Sequence, residues 1–540
     1  MRLRLAALAV ACAIGLGACG GSNDEPAHVA RLVVAQPVEP ASLNPLYVQG
    51  AVTSVVVPLI YSYLLTDDDH DVLQPDVAAE VPTRANGGIS RDGRTITYHL
   101  RRGVTWQDGA PLTAHDVAFT FGAIMNPRNN VPTRSGYEQI ARVDALDDAT
   151  VRVTLHRPYS PILGLFFAPN QNYPILPQHL LAKYPNLNQV EFNREPIGSG
   201  PYRVAEWVRG DHVRLVRNEH WFGGVPRIAE IDLRFVSDTN TIINQLRTGE
   251  VTAYMTADAA HLAEYSALTG ERVVRAPFAG IGDLFFNMRD PDVGDVRVRR
   301  AIVEGADFPA IVRKATRGAQ WMEAAPRALF GWTYDPSIGP PGPNAADAAR
   351  LLDAAGWHRR ADGVRAKDGR PLSLQLSFVA GRSVDAALAV QLQQQLANLG
   401  VQLALHSYAS AQFNAPASSG GPIFGGKFQI AFTQVGAPAD GNTDWFLSSS
   451  QFPPRGFNLS YFSDPAVDAA ERAGVSTYDP AARKYAAAIV QKRVAAELPF
   501  VALWQLNAIY VVPTELRGFR PSLQTAFWNV GTWNLGAPEH

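Results

Sequence analysis

The chain has 540 residues, a formal net charge of −2 from 48 basic and 50 acidic side chains, and 46% hydrophobic residues. No basic block or stripe interrupts this near-balance, which argues against a nucleic-acid partner. A chain of this length is too long to fold around a single hydrophobic core, so we expect two or three lobes. Its two cysteines, Cys12 and Cys19, both lie near the N-terminus, and we therefore expect no disulfide in the folded body.

The N-terminal segment has the organisation of an export signal. Arg2 and Arg4 precede an apolar run that is too short to span a bilayer. The run ends with Leu16-Gly17-Ala18-Cys19, which resembles a bacterial lipobox, where the Cys thiol is lipidated and becomes the new N-terminus after cleavage. This predicts a signal peptide at 1–18, a flexible tether at 19–30 and a protein held outside the cytoplasm, in the periplasm or at the cell surface, by lipidated Cys19. An ordinary secretory signal peptide is the alternative.

Strands and helices alternate after the tether. Apolar or alternating runs predict strands, while N-caps followed by apolar residues at helical spacing predict helices. In the first half of the chain these patterns predict strands at 32–35, 95–100 and 150–155, and a helix that begins after Thr113 and ends before Pro127.

The second half continues the same alternation. It predicts a helix at 297–305, a helix capped by Asn344, a strand at 374–378, a long helix from Ser383 to Gly400, a strand at 402–405 and a helix that begins at Asp479-Pro480. Strand–helix–strand alternation of this kind is typical of an α/β chain.

Several sequence blocks, taken in order, resemble the extracellular solute-binding proteins of family 5, which are the peptide- and nickel-binding subunits of ABC importers. These blocks are 42–45, 93–109, 111–117, 196–202, 217–218 with Trp221, 286–287, 295–302, 351–357 and 461–468. Physically, most of these blocks are typical of segments that shape the fold without contacting a ligand. Gly198 and Gly200, for example, are expected to provide positive φ angles.

The resemblance implies an α/β, two-lobed periplasmic-binding-protein-like fold of type II, with an extra subdomain inserted in the first lobe. The expected divisions are 31–60 plus 195–283 plus 505–540 for the core of lobe I, 61–194 for the inserted subdomain and 284–504 for lobe II. The chain would cross between the lobes near Leu284 and Trp504. A ligand would lie between the lobes, which close over it about a hinge.

In peptide-binding members of the family, an extended peptide pairs with backbone on both lobes and an acidic residue meets its free amine. The segment that begins at Gly436 resembles the stretch that carries this acid, and Asp440 is the first candidate. Asp444 is its rival, and Trp445 is expected to form the wall of a side-chain pocket. Pro438 lacks a backbone donor within this segment. The alternative is that both acids are turn residues in a Gly/Pro-rich loop.

On the first lobe, Gln49, Gly50 and Ala51 lie at the family's spacing for strand-like pairing with the ligand. They complete the predicted ligand-binding set, which contains no metal ligand, cofactor or catalytic residue.

Other motifs are incomplete. The segment 421–427 resembles a phosphate-binding loop, but Phe428 stands where a hydroxyl would be needed. Asp67-Asp68-Asp69-His70 lacks the spacing of a calcium loop and is typical of a solvated turn. No H-E-x-x-H or Cys-x-x-Cys pattern occurs.

The sequence thus predicts a lipid-anchored, monomeric binding subunit that is not an enzyme. It would capture an oligopeptide or similar solute and deliver it to an ABC permease, with permease and ATPase as separate chains. The alternatives are an anchored extracytoplasmic hydrolase, and a receptor for a nickel chelate or an oligosaccharide.

Overall fold

The structure, a computed structural model, describes residues 30–47, 51–169, 173–316, 325–436 and 440–536. The predicted signal peptide, Cys19, Gln49, Gly50 and Pro438 lie outside these residues. Within the described ranges, no helix combines the length and apolar character needed to cross a membrane.

Helices and strands alternate along the described chain. The helices are α1 (Ala51–Ile60), α2 (Ala114–Met125), α3 (Ile162–Leu165), α4 (Gln178–Leu181), α5 (Thr239–Thr248), α6 (Leu262–Ser266), α7 (Val296–Glu304), α8 (Phe308–Ala315), α9 (Ala325–Phe330), α10 (Ala345–Ala354), α11 (Ser383–Asn398), α12 (Ser410–Phe413), α13 (Asp444–Leu447), α14 (Pro465–Val475) and α15 (Pro480–Glu497). The strands are β1 (Arg31–Gln36), β2 (Leu65–Asp67), β3 (Leu73–Pro75), β4 (Thr95–His99), β5 (Ile140–Asp147), β6 (Thr150–Leu155), β7 (Tyr202–Val208), β8 (His212–Arg217), β9 (Glu230–Phe235), β10 (Ala253–Ala257), β11 (Glu271–Phe286), β12 (His358–Arg359), β13 (Arg365–Lys367), β14 (Arg370–Pro371), β15 (Ser373–Val379), β16 (Gln402–Tyr408), β17 (Ile430–Gly436), β18 (Phe500–Pro513), β19 (Leu516–Arg517) and β20 (Asn534–Leu535).

The elements predicted from local sequence patterns are confirmed within a few residues. They are β1, β4, α2, β6, α7, α10, β15, α11, β16 and α15. The predicted caps also form: the Asp116 carboxylate accepts a hydrogen bond from the Thr113 backbone N–H at 2.8 Å, and the Asn344 side chain accepts one from the backbone of Asp347. Capping residues and apolar periodicity therefore determine these boundaries locally.

A ten-stranded sheet in the order β16-β15-β17-β11-β18-β10-β1-β9-β8-β7 joins the two lobes. Its two long antiparallel strands, β11 and β18, run through both lobes, and their register breaks between Pro277 and Ile281. Core membership also changes there. Ala276 belongs to the lobe I core and Ile281 to a lobe II core, a few residues before Leu284. The fold is the two-lobed α/β arrangement expected from the sequence.

The apolar cores follow the lobes. One core extends from β1 and β8 of lobe I into the small sheet β4-β6-β5, so that Leu32 and Ile96 belong to the same cluster. In lobe II the sheet has a core on each face, with Leu284 on one side and Phe285 on the other. This follows from the alternation of side chains along a strand that is buried on both faces.

The expected positive φ at Gly198 and Gly200 is wrong, because neither residue adopts a left-handed conformation. Both approach the backbone at the end of α1 instead. A Cβ atom at Gly198 would lie 1.9 Å from the Ile60 carbonyl oxygen, and one at Gly200 would lie 2.6 Å from the Ile60 carbonyl carbon. Close backbone packing, and not turn geometry, therefore requires glycine at both positions.

A second set of contacts, which we call the bridge, joins the lobes away from the long strands. The Ser160 N–H donates to the Val475 carbonyl at 2.7 Å, and the Tyr478 hydroxyl donates to the Tyr159 carbonyl at 3.1 Å. Residues 159–160 belong to the segment between β6 and α3, whereas 475–478 connect α14 with α15. The bridge therefore holds the two lobes together in this conformation.

Candidate ligand-binding cleft

A cleft of about 770 Å³ lies between the lobes. Lobe II contributes the last residues of β17, the start of α13 and the loops around Phe424 and Phe457. The other side comes from Tyr159, from Phe278 on β11 and from Gln524 near the C-terminus. A volume of this size is in the range of small-molecule and peptide sites, which often lie at domain interfaces.

Strand β17 presents an open edge to the cleft. It pairs with β11 along its whole length, from Ile430 to Gly436, but with β15 only at Ile430 and Ala431. Residues 433–436 line the cleft. Among the described residues, no strand lies beside them on the β15 side, so their outward backbone groups are available to an extended ligand.

Three aromatic rings line the cleft next to this edge. Phe457 makes edge-on contacts with Phe424 and Trp445, with ring centroids 5.6 and 5.5 Å apart. Phe457 is 47% exposed although its ring is large and apolar. Rings that fix one another in this way form a rigid apolar surface against which a ligand can pack.

Asp440 lies on the cleft but already has a partner. Its carboxylate accepts a hydrogen bond from the Arg483 guanidinium at 3.1 Å, and both side chains are largely buried. The second carboxylate oxygen accepts from the Asn442 backbone N–H at 3.1 Å. A cationic ligand group would therefore have to share Asp440 with Arg483.

Asp444 does not line the cleft. It is the first residue of α13, and its backbone N–H donates to the Asn442 side chain at 3.1 Å. Burial raises the pKa of its carboxyl, against a hydrogen bond from Ser448 that lowers it. Asp444 thus belongs to the layer behind the cleft surface.

Glu471 on α14 lies deeper in the same layer. Its side chain is buried and accepts a hydrogen bond from the Thr443 hydroxyl. Burial is the main cause that raises its pKa to about 8, and the nearby carboxylates of Asp444, Asp440 and Asp468 raise it further. The loop that carries Asp440 therefore packs on a carboxyl that holds its proton at neutral pH.

A second buried acid lies behind Thr433, which lines the cleft. Asp283 on β11 accepts a hydrogen bond from the Thr433 hydroxyl, and burial raises its pKa to about 8. Next to it, Arg382 lines the cleft and lies 3.7 Å from Asp385. The only sign of this buried acid in the sequence is that Asp283 interrupts the otherwise apolar run 280–286.

The structure brings Gly436, Asp440 and Trp445 together on the cleft surface, as a ligand site requires. Their roles stay predictions. Ala51 is the first residue of α1, and its pairing with a ligand stays a prediction. Gln49 and Gly50 lie outside the described residues.

Sequence reasoning missed several residues of the cleft, namely Tyr159, Phe278, Arg382, Arg455, Phe457 and Gln524. These residues come from distant segments and carry no shared motif, and only folding brings them together.

Asp68, Asp69 and His70 form the only group of three or more in the described chain whose acidic and imidazole ligand atoms all lie within 4.8 Å of one another. The Asp68 carboxylate already accepts hydrogen bonds from the backbone N–H groups of His70 and Val72, at 2.9 and 3.0 Å. This is the geometry of the solvated turn that the sequence predicts.

Comparisons with known proteins agree with this geometry. The family model described as "Bacterial extracellular solute-binding proteins, family 5 Middle" matches residues 72–458. Protein XP55 from Streptomyces lividans is 30% identical over 534 residues, which cover 97% of this chain and 93% of the relative. The oligopeptide-binding protein AppA from Bacillus subtilis is 26% identical over 561 residues, which cover 99% of this chain and 98% of the relative.

Among solved structures, NikZ from Campylobacter jejuni in complex with Ni(L-His) superposes with a TM-score of 0.76 at 25% identity. The superposition covers 94% of this chain and 99% of the NikZ chain. The two-lobed architecture is therefore similar over almost the whole length of both proteins.

Proposed function

Because the chain belongs to the bacterial extracellular solute-binding proteins of family 5, we propose that it is the receptor subunit of an ABC importer. It captures an oligopeptide or a similar solute between its lobes and delivers it to a permease, which with its ATPase is a separate chain. The similarity to an oligopeptide-binding protein over nearly the full length supports this assignment.

The open edge of β17 is the observation that carries the peptide assignment. Residues 433–436 face the cleft without a neighbouring strand among the described residues. A peptide added as a strand gains main-chain hydrogen bonds whatever its sequence. An oligosaccharide would gain no comparable ladder from this edge.

The charged groups of the cleft support a zwitterionic ligand. Asp440 could meet the ligand ammonium in competition with Arg483. Arg455, and Arg382 in competition with Asp385, could meet a carboxylate. The described lining residues include no His or Cys, the side chains that would best hold nickel directly. A free peptide matches this set better than a bare nickel ion does.

Thermal unfolding and calorimetry with synthetic peptides of several lengths test the proposal on the full chain. A ligand at 100 times its Kd stabilises the folded state by about 2.7 kcal/mol, so a binding peptide should raise the unfolding temperature clearly. Mass spectrometry should find the peptide intact after incubation.

Stabilisation by a nickel–histidine chelate or an oligosaccharide, with none by any peptide, would overturn the peptide assignment. Peptide cleavage would favour the anchored hydrolase. Native mass spectrometry of the unstripped protein would identify any cargo that is carried through purification.

Anchoring through Cys19 is part of the same proposal, although Cys19 lies outside the described residues. A lipid anchor keeps the receptor near its permease and raises the effective concentration of one at the other. We expect Cys19→Ala to move the protein from the membrane to the soluble fraction with peptide affinity unchanged. Fractionation followed by immunoblotting measures this, and a variant that remains with the membrane would contradict the anchor.

A further inference from the structure

Lobe I contains a second cavity of about 200 Å³, which we call the side chamber. Its walls come from α1, from β10, from β18 and from the segment near the C-terminus. The residues that form these walls are Ser54, Val55, 255–257, 508–510 and 524–527.

The side chamber adjoins the main cleft. Phe278 and Gln524 line both cavities and therefore mark the junction between them. Phe278 is 40% exposed, and the Gln524 amide nitrogen is buried without a hydrogen-bond acceptor among the described residues. A ligand in the cleft thus has an apolar ring and an unused donor beside the entrance.

The chamber is uncharged and mostly apolar, although Thr256, Tyr510 and Thr525 also line it. Val55, Met255, Ile509 and Phe527 line it, and none of its described lining residues carries a charge. An apolar cavity of roughly 150 Å³ in another protein stays dry and binds benzene. A charged side chain would lose its hydration here without gaining a partner.

We propose that the side chamber receives one bulky apolar side chain of the ligand, such as the ring of Phe or the branched chain of Leu. This assignment rests on the proposed peptide-binding function and adds a size and polarity preference at one ligand position. The backbone carbonyl of the same ligand residue would accept a hydrogen bond from Gln524.

The test uses a peptide that binds the parent protein, with Phe, Gly or Lys placed at each position in turn, and isothermal calorimetry. At one position we expect the peptide with Phe to bind about tenfold more tightly than the peptides with Gly or Lys, because apolar pockets discriminate between side chains by about this factor. Ala257→Leu fills the chamber, and should remove most of this advantage while the affinity of the Gly peptide changes by less than about twofold.

Ala260→Leu is the matched control. It makes the same substitution three residues along, at an exposed position that lines neither cavity, and should keep the Phe advantage. Val55→Ala enlarges the chamber and provides a second variant if Ala257→Leu does not fold. It should shift the preference from Phe towards Trp.

The outcomes separate the two proposals. Peptide binding with no Phe preference at any position, or a preference that Ala257→Leu and Val55→Ala both leave unchanged, overturns the chamber assignment alone. Absence of binding by every peptide overturns the proposed function, and the chamber assignment falls with it.

Discussion

The two sides of the cleft have different chemistry. The lobe II wall, formed by residues 433–436, Asp440 and the rings of Trp445 and Phe457, offers backbone groups and charge. The lobe I wall, formed by Phe278, Gln524 and the side chamber behind them, is uncharged and mostly apolar. In a peptide receptor, the first wall would bind what all peptides share, and the second would distinguish one side chain from another.

The layers behind the two walls differ as well. Protonated acids support the lobe II wall, since burial raises the pKa of both Glu471 and Asp283 to about 8. Among the described residues that line the side chamber, only Tyr510 is titratable. The lobe II wall should therefore respond to pH more strongly than the lobe I wall.

The largest effect is expected for Glu471→Gln on stability. The pKa of Glu471 rises from an ordinary value of 4.5 to about 8 on folding, so the folded state keeps a proton that the unfolded chain releases. The contribution of this carboxyl to the stability of the parent is fully present below pH 4.5 and is lost as the pH rises towards 8. A shift of this size corresponds to a few kcal/mol, about 1.4 per unit.

Glutamine stays neutral and can still accept the Thr443 hydrogen bond. Chemical denaturation at pH 5 and pH 8 should therefore show a smaller loss of unfolding free energy for Glu471→Gln than for the parent. Glu515→Gln, at an exposed position of lobe I, should behave like the parent. Parallel pH profiles for all three proteins would contradict the assignment.

The next effect concerns ligand charge. We expect Asp440→Asn to weaken binding of free-amine peptides by about tenfold or more, because loss of one partner leaves a largely desolvated charge unpaired. Asp444→Asn should change the affinity by less than about twofold, since Asp444 lies behind the cleft surface. Calorimetry with a peptide and its N-acetylated form measures both.

The acetylated peptide should bind the parent and Asp440→Asn equally. If the two aspartate variants and the parent have the same affinity for the free-amine peptide, Asp440 has no role in recognition of the amine, and the alternative reading as a turn residue is correct.

Local sequence patterns predicted ten of the described helices and strands, but little of the cleft. Helix α11 has its apolar residues on one stripe and Gly400 after its end, and such local signals suffice. For helix α1 the local signals do not suffice, because its valines favour a strand and the sequence predicts no helix there. Its residues from Val55 to Val57 are all buried, so tertiary packing overrides the local preference.

The cleft depends on long-range pairing, which local patterns do not encode. The open edge of β17 arises because β15 pairs only with Ile430 and Ala431. The sequence of β17 alone resembles that of any buried strand. Asp440 and Trp445 were predicted from resemblance to a family, whereas Phe278 and Gln524 reach the cleft from segments far apart in sequence.

The smallest effect should come from the bridge, which joins the two lobes and of whose four residues only Tyr159 also lines the cleft. Tyr478→Phe removes the hydroxyl that donates to the Tyr159 carbonyl at 3.1 Å but keeps the ring. A neutral hydrogen bond contributes about 1 kcal/mol, so the closed state should become about fivefold less populated relative to the open state. Small-angle scattering without ligand should show a larger radius of gyration.

Because a ligand held between the lobes binds the closed state, Tyr478→Phe should weaken all peptides by the same factor of about five or less. Tyr485→Phe is the matched control, since Tyr485 is 73% exposed on α15. A loss confined to peptides with a bulky apolar residue would mean that the bridge shapes the lobe I wall. An equal loss of affinity for all peptides would show that the bridge affects closure of the lobes and not the choice of peptide. The preference for one side chain would then depend on the side chamber alone.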